Sequence, residues 1–188
     1  MTDDTLLRKA GHCFDRLDHD HDGRLSEADY RALAARACKA FGYPDDSPRA
    51  RSALSGYLTL WRTLLQPTDA DGDGAVSRAE YVDALAGPDG RGIDAHAYEL
   101  SMGVAAAAFV DIADADRSGE LDLEEFTTLY RVTFPDLTAE EVRTAFEAVD
   151  ADNSATVSTD ELKEAIRTYF TGTDAGAPAD RLFGTLPD

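Results

Sequence analysis

Asp69-Ala70-Asp71-Gly72-Asp73-Gly74-Ala75-Val76-Ser77-Arg78-Ala79-Glu80 carries a carboxylate at positions 1, 3 and 5 and a glutamate at position 12. The alternation brings Asp69, Asp71 and Asp73 round one centre. The Ala75 carbonyl adds an oxygen at position 7, and Glu80 is long enough to add two more. An all-oxygen shell of that size suits calcium. Gly74 stands where the chain must turn sharply through positive φ, which a residue without Cβ does at no steric cost. Ser77 and Glu80 form an S-x-x-E capping box, so the last ligand is held on the first turn of a following helix.

The pattern recurs at Asp18, Asp114 and Asp150, and the four stretches are numbered loops 1 to 4 in chain order. Loop 1 offers Asp18, Asp20, Asp22, Arg24 at position 7 and Asp29, an aspartate where the other loops have glutamate. Loop 3 offers Asp114, Asp116, Ser118, Glu120 at position 7, Asp122 and Glu125. Loop 4 offers Asp150, Asp152, Ser154, Thr156 at position 7 and Glu161, with Ala155 in the glycine position. Loops 2 and 3 are expected to bind calcium. Asp29 is one methylene shorter than Glu and is expected to give one oxygen, which suits six-coordinate magnesium and lowers calcium selectivity. Ala155 at positive φ costs about 1–2 kcal/mol. Loop 4 therefore either binds weakly or serves only to pair with loop 3.

The flanks repeat too. Four, five and eight residues before the loops lie Phe14, Cys13, Ala10; Leu65, Leu64, Trp61; Val110, Phe109, Ala106; and Phe146, Ala145, Val142. Positions 13, 16 and 17 read Tyr30, Leu33, Ala34; Tyr81, Ala84, Leu85; Phe126, Leu129, Tyr130; and Leu162, Ala165, Ile166. Both sets have helical spacing, so each loop sits between two helices. Position 8 is Leu25, Val76, Leu121 and Val157, as expected if paired loops share a short two-stranded ladder.

These helix–loop–helix units are identified as EF-hands. Their uneven spacing, the Asp-terminated first loop and the C-terminal tail resemble the sarcoplasmic calcium-binding proteins and the bacterial calerythrin-like proteins. The resemblance implies an all-α, compact globule of two EF-hand pairs and a role in calcium buffering, or in bacteria a calcium response. The pairs are read as 1–86 and 93–170, with a tail at 171–188 that either frays or folds back over apolar surface. Gly42-Tyr43-Pro44-Asp45-Asp46-Ser47-Pro48 breaks the chain after the first hand, and Gly87-Pro88-Asp89-Gly90-Arg91-Gly92 marks the boundary between pairs. Pro67, just before loop 2, is expected to end or kink the incoming helix near Leu65. Thr138 and Glu141 are expected to box the start of the fourth hand's incoming helix.

The 37 acidic residues against 18 basic ones in 188 give a net charge of −19, which repels nucleic acid and anionic membrane and attracts multivalent cations. Calcium ions are the expected partners, with no nucleic acid and no membrane; a protein partner is not readable, and a monomer is expected. Met1-Thr2-Asp3-Asp4 has neither a basic n-region nor an apolar run, and Cys13 and Cys38 are too few for a disulfide framework, so a cytoplasmic protein with free, buried thiols is expected. His19 and His21, at loop positions 2 and 4, are expected to be solvated, and His12 and His96 to stand alone. Trp61 reads as core. No nucleophile triad, CxxC or phosphate loop appears, so no enzyme is expected.

A calcium buffer or store is the favoured reading. A calcium sensor that binds a partner on loading is the alternative, disfavoured because sensors present Met-rich grooves and this sequence has two Met. A coelenterazine-binding role, implied by relatives of the same fold, is the third.

Overall fold

The computed structural model describes residues 4–86, 95–172 and 177–186. The first hand is α1 (Asp4–Leu17), loop 1 with β1 (Arg24–Ser26), and α2 (Glu27–Ala40). The second is α3 (Pro48–Leu60), loop 2 with β2 (Ala75–Ser77), and α4 (Arg78–Ala86). The third is α5 (Ala95–Ala113) and α6 (Leu123–Thr133); the fourth is α7 (Ala139–Val149) and α8 (Thr159–Thr171). The expected break at Gly87–Gly92 lies outside the described residues.

Several helix starts have a local cause. Ser47 accepts the Ala50 N–H, and Pro48, which has no N–H to lose, opens α3. Thr138 and Glu141 box the start of α7. After Leu60 the incoming helix of the second hand loosens into a π-turn (Trp61–Leu65) and then a 3₁₀ turn (Gln66–Thr68). Pro67 cannot donate to an α-helical ladder, so the last turns re-form around it. That is the kink expected there.

Position 8 joins the loops in pairs. Leu25 faces Val76 in the antiparallel β1–β2 ladder, and Leu121 faces Val157 in an isolated bridge whose two N–H···O bonds are each 2.8 Å. All four side chains are essentially inaccessible to solvent. The helices close over one core, in which Phe14, Tyr57, Phe126 and Tyr169 from all four hands are almost fully buried. Between halves, α3 packs on α5 and α2 on α6. Tyr43 Oη donates to the Ile112 carbonyl (3.1 Å), and Ser52 Oγ to Asp111 Oδ2 (3.1 Å). α4 packs against α1, with the Arg78 side chain passing over Gly11. A Cβ there would collide with the Arg78 guanidinium as it crosses to Asp15 (2.7 Å).

The apolar flanks are buried nearly as the spacing predicts, except that Leu64 and Phe109 are half-buried and Ala84 is exposed. Both thiols are buried, with Cys13 Sγ 3.1 Å from Tyr81 Oη. Desolvation pushes the Cys13 thiol up to about 12, so it behaves as a small apolar group. The tail folds back. Ala179, Leu182 and Phe183 are buried, and Phe183 meets the rings of Tyr169 and Phe134 edge-on at 4.7 and 5.3 Å. Among the described residues no helix is long and apolar enough to cross a membrane.

Candidate metal centre

Each loop is wound round its first carboxylate. The amide at position 6 donates to Oδ2 of position 1 in every case: Gly23 to Asp18 (2.9 Å), Gly74 to Asp69, Gly119 to Asp114 and Ala155 to Asp150 (3.0 Å each). Turning that N–H inward requires positive φ, which is 81°, 89° and 91° at the glycines and 68° at Ala155. Ala155 therefore does take the strained conformation expected of it. Position 4 also has positive φ, at His21 (58°), Gly72 (74°), Arg117 (67°) and Asn153 (59°). Sequence reasoning missed this second turn. Gly72, Asn153 and His21 are types that tolerate it, but Arg117 gave no signal.

Position 12 closes the loop from the following helix. Glu80 accepts Ser77 N–H (2.8 Å) and Oγ (2.7 Å) on Oε2, and Ala70 and Asp71 N–H (2.9 and 3.3 Å) on Oε1. Bonds from Ser77's amide and hydroxyl, then from Ala70, hold its carboxyl down at about 2. Glu125 spans its loop in the same way, between Asp122 N–H (3.1 Å) and Ala115 N–H (2.7 Å). Glu161 runs from Ser158 N–H (2.9 Å) to Ala151 N–H (3.1 Å). Asp29 takes Ser26 N–H and Oγ on Oδ2, each at 2.7 Å, the near anchor of the same box.

Four carboxylate groups result, in each of which one oxygen per residue lies within 4.8 Å of the others. They are Asp18, Asp20 and Asp22; Asp69, Asp71 and Asp73; Asp114, Asp116 and Glu125; and Asp150, Asp152 and Glu161. Glu80 and Asp29 stand outside their groups. Like charges so near repel, and Asp18 Oδ1 is buried without a hydrogen-bond partner. A hard divalent cation satisfies both conditions, so the residues present fit one. The position-7 residues Arg24, Ala75, Glu120 and Thr156 follow each inward turn, and Ser118 and Ser154 hold position 5 where loops 1 and 2 have Asp22 and Asp73. Ser118 Oγ is turned to the Glu120 carbonyl (2.8 Å) and Ser154 Oγ to that of Thr156 (3.2 Å). Asp122 caps α6, its Oδ1 accepting Glu124 and Glu125 N–H (2.8 and 2.9 Å).

Two histidines differ from expectation. His19 is half-buried, because loop 1 lies against the second half of the chain; desolvation, then Arg36, lowers its pKa. His12 does not stand alone: it is buried, with Nε2 2.9 Å from the Phe183 carbonyl of the folded tail. The side chain of His96 lies outside the described residues.

Family models for an EF-hand domain pair and for a single EF hand match residues 117–168 and 11–34. The chain carries EF-hands. This EF-hand chain is 23% identical over 162 residues to calerythrin of Saccharopolyspora erythraea, covering 85% of this chain and 88% of calerythrin. Its fold is shared with the coelenterazine-binding protein of Renilla muelleri, solved in its calcium-loaded apo form, at a TM-score of 0.73, 24% identity and 96% coverage of both chains. The sarcoplasmic calcium-binding protein of amphioxus superposes with a TM-score of 0.65 at 22% identity, covering 98% of both. The EF-hand pairs, the calerythrin relationship and the sarcoplasmic calcium-binding fold agree with what the loops and flanks resemble.

Proposed function

We propose that this EF-hand protein is a non-catalytic, cytoplasmic calcium buffer whose ligands are the position-1, 3, 5, 7, 9 and 12 groups named above. The observation that carries the reading is its closed core. Among the described residues Leu123, 38% exposed, is the one large hydrophobic side chain at the surface. Leu182 and Phe183 cover the apolar interior instead of leaving a groove for a partner helix. When bound, calcium supplies charge neutralisation and a fixed coordination centre for each loop. Loop 1 is assigned to magnesium as well, because Asp29 at position 12 is one methylene shorter than the glutamates of the other loops and reaches the ion with one oxygen.

The test is binding of a hydrophobic dye during calcium titration. A buffer tightens on loading, so dye fluorescence should fall and the melting temperature rise. A calcium-dependent increase, with capture of an amphipathic helix, would establish the sensor in its place.

A second reading draws on the relative named for binding coelenterazine. An apolar cavity of about 110 Å³ lies between the halves, lined by residues that include Cys13, Tyr30, Tyr81, Phe109, Tyr130 and Phe183. Pockets for organic ligands usually enclose about 300–1,000 Å³. The cavity is therefore too small for such a ligand unless the tail moves, which ranks this reading second. Saturable, equimolar binding of coelenterazine would reverse the ranking.

A further inference from the structure

Arg24 holds position 7 of loop 1, yet its guanidinium serves loop 2. The β1–β2 register sets Arg24 opposite Ser77, and from there Nη2 pairs with Asp73 Oδ2, at position 5 of loop 2. The other oxygen of Asp73, Oδ1, already accepts the Ala75 N–H at 3.0 Å. A carboxylate oxygen that accepts one N–H still has a lone pair to offer an ion, but Oδ2, the oxygen with no N–H on it, is the one the guanidinium holds. We propose that Arg24 is a built-in competitor for the loop 2 cation, weakening loop 2 relative to loop 3; this rests on the reading that the loops bind calcium.

Among the described residues the second pair of hands lacks the device. There the position-7 side chains meet each other, Thr156 Oγ1 donating to Glu120 Oε2 (2.5 Å), and position 5 of loop 3 is the neutral Ser118. Among the described residues the carboxylates of Asp114, Asp116 and Glu125 form no ion pair; the Arg49 guanidinium reaches the Ala115 carbonyl of loop 3 (3.4 Å) rather than a carboxylate. Loop 2 has the larger number of carboxylates at positions 1, 3 and 5, but an ion entering it must first separate Asp73 from Arg24. Both members of the pair are substantially exposed (49% and 36%), so the penalty is that of a surface ion pair. An effect of about two- to fivefold on affinity follows. It tunes the loop without disabling it.

The experiment is calcium titration of Arg24→Gln followed by amide NMR. Gly74 and Gly119 N–H each donate to the first carboxylate of their own loop at 3.0 Å, so they report loops 2 and 3 separately. The Gly74 midpoint should move to about two- to fivefold lower calcium, while that of Gly119 stays in place. Arg31→Gln removes the same charge from α2, where Arg31 pairs with Glu27, and should move neither glycine differentially. High salt should shrink the Arg24→Gln shift. An unchanged Gly74 midpoint, an equal shift at Gly119, or an equal effect of Arg31→Gln would overturn the proposal. Absence of any calcium-dependent shift at either glycine in the unsubstituted protein would overturn the binding reading itself, and the proposal with it.

Discussion

Lys9 Nζ lies 2.5 Å from Asp180 Oδ1, with the lysine side chain fully buried and the aspartate nearly so. The same ammonium donates to the Gly172 carbonyl (2.9 Å) and lies 5.5 Å from the centre of the Tyr169 ring. One buried cation thus ties α1 to the C-terminal end of α8 and to the tail that folds over it. Removing either partner leaves the other charged in an apolar setting, which costs about 3–5 kcal/mol. Asp180→Asn should therefore lower stability to urea by about that amount, whereas Lys9→Met with Asp180→Leu should lose much less. A loss under about 1 kcal/mol for Asp180→Asn would show that water reaches the pair.

Glu80→Gln and Glu125→Gln should each remove one binding event from a calcium calorimetric titration. The amide keeps the size of the side chain but only one of its two accepting oxygens, and it cannot offer a charged bidentate ligand. Stoichiometry that survives both changes would refute the position-12 assignment.

Ala155→Gly relieves the strain at φ 68° in loop 4, worth about 1–2 kcal/mol. Where the loop is loose without the ion, the gain should appear as roughly tenfold tighter binding at loop 4. Where it is already formed, the cation-free melting temperature should rise. The prediction fails if calorimetry and melting are both unchanged.

His12, buried against the folded tail, is expected to make stability depend on pH. Desolvation lowers its pKa, outweighing the bond to Phe183; Arg16 adds to the lowering, and Asp15 and Glu141 oppose it. The unfolded chain, with His near about 6.5, then binds more protons than the folded one. Stability is full above that value and falls as the pH drops through it toward the lower folded value. Melting curves in saturating calcium should show this slope from pH 7 to 5.5, and His12→Gln, which can still donate to Phe183, should flatten it. Equal slopes in the two proteins would remove His12 from the account.

How much of this was legible in the sequence follows from the distances along the chain over which each feature is built. A loop's carboxylates lie within twelve consecutive residues, so alternation and the position-6 turn are enough to bring Asp69, Asp71 and Asp73 together. Helices leave their period in residues such as Tyr30, Leu33 and Ala34, and Pro67 disrupts a ladder that is itself local. The partner of Leu25 was legible because position 8 repeats. Other contacts have no such periodicity: Arg24 reaches Asp73 across 49 residues, His12 reaches Phe183 across 171, and Lys9 reaches Gly172 across 163. A lysine on an amphipathic helix reads as solvated, and Lys9 is buried because the tail arrives over it with Asp180. Which side chains meet over such separations depends on how already formed helices pack, and that packing also placed His19 against the far half and put a guanidinium on a loop 2 carboxylate.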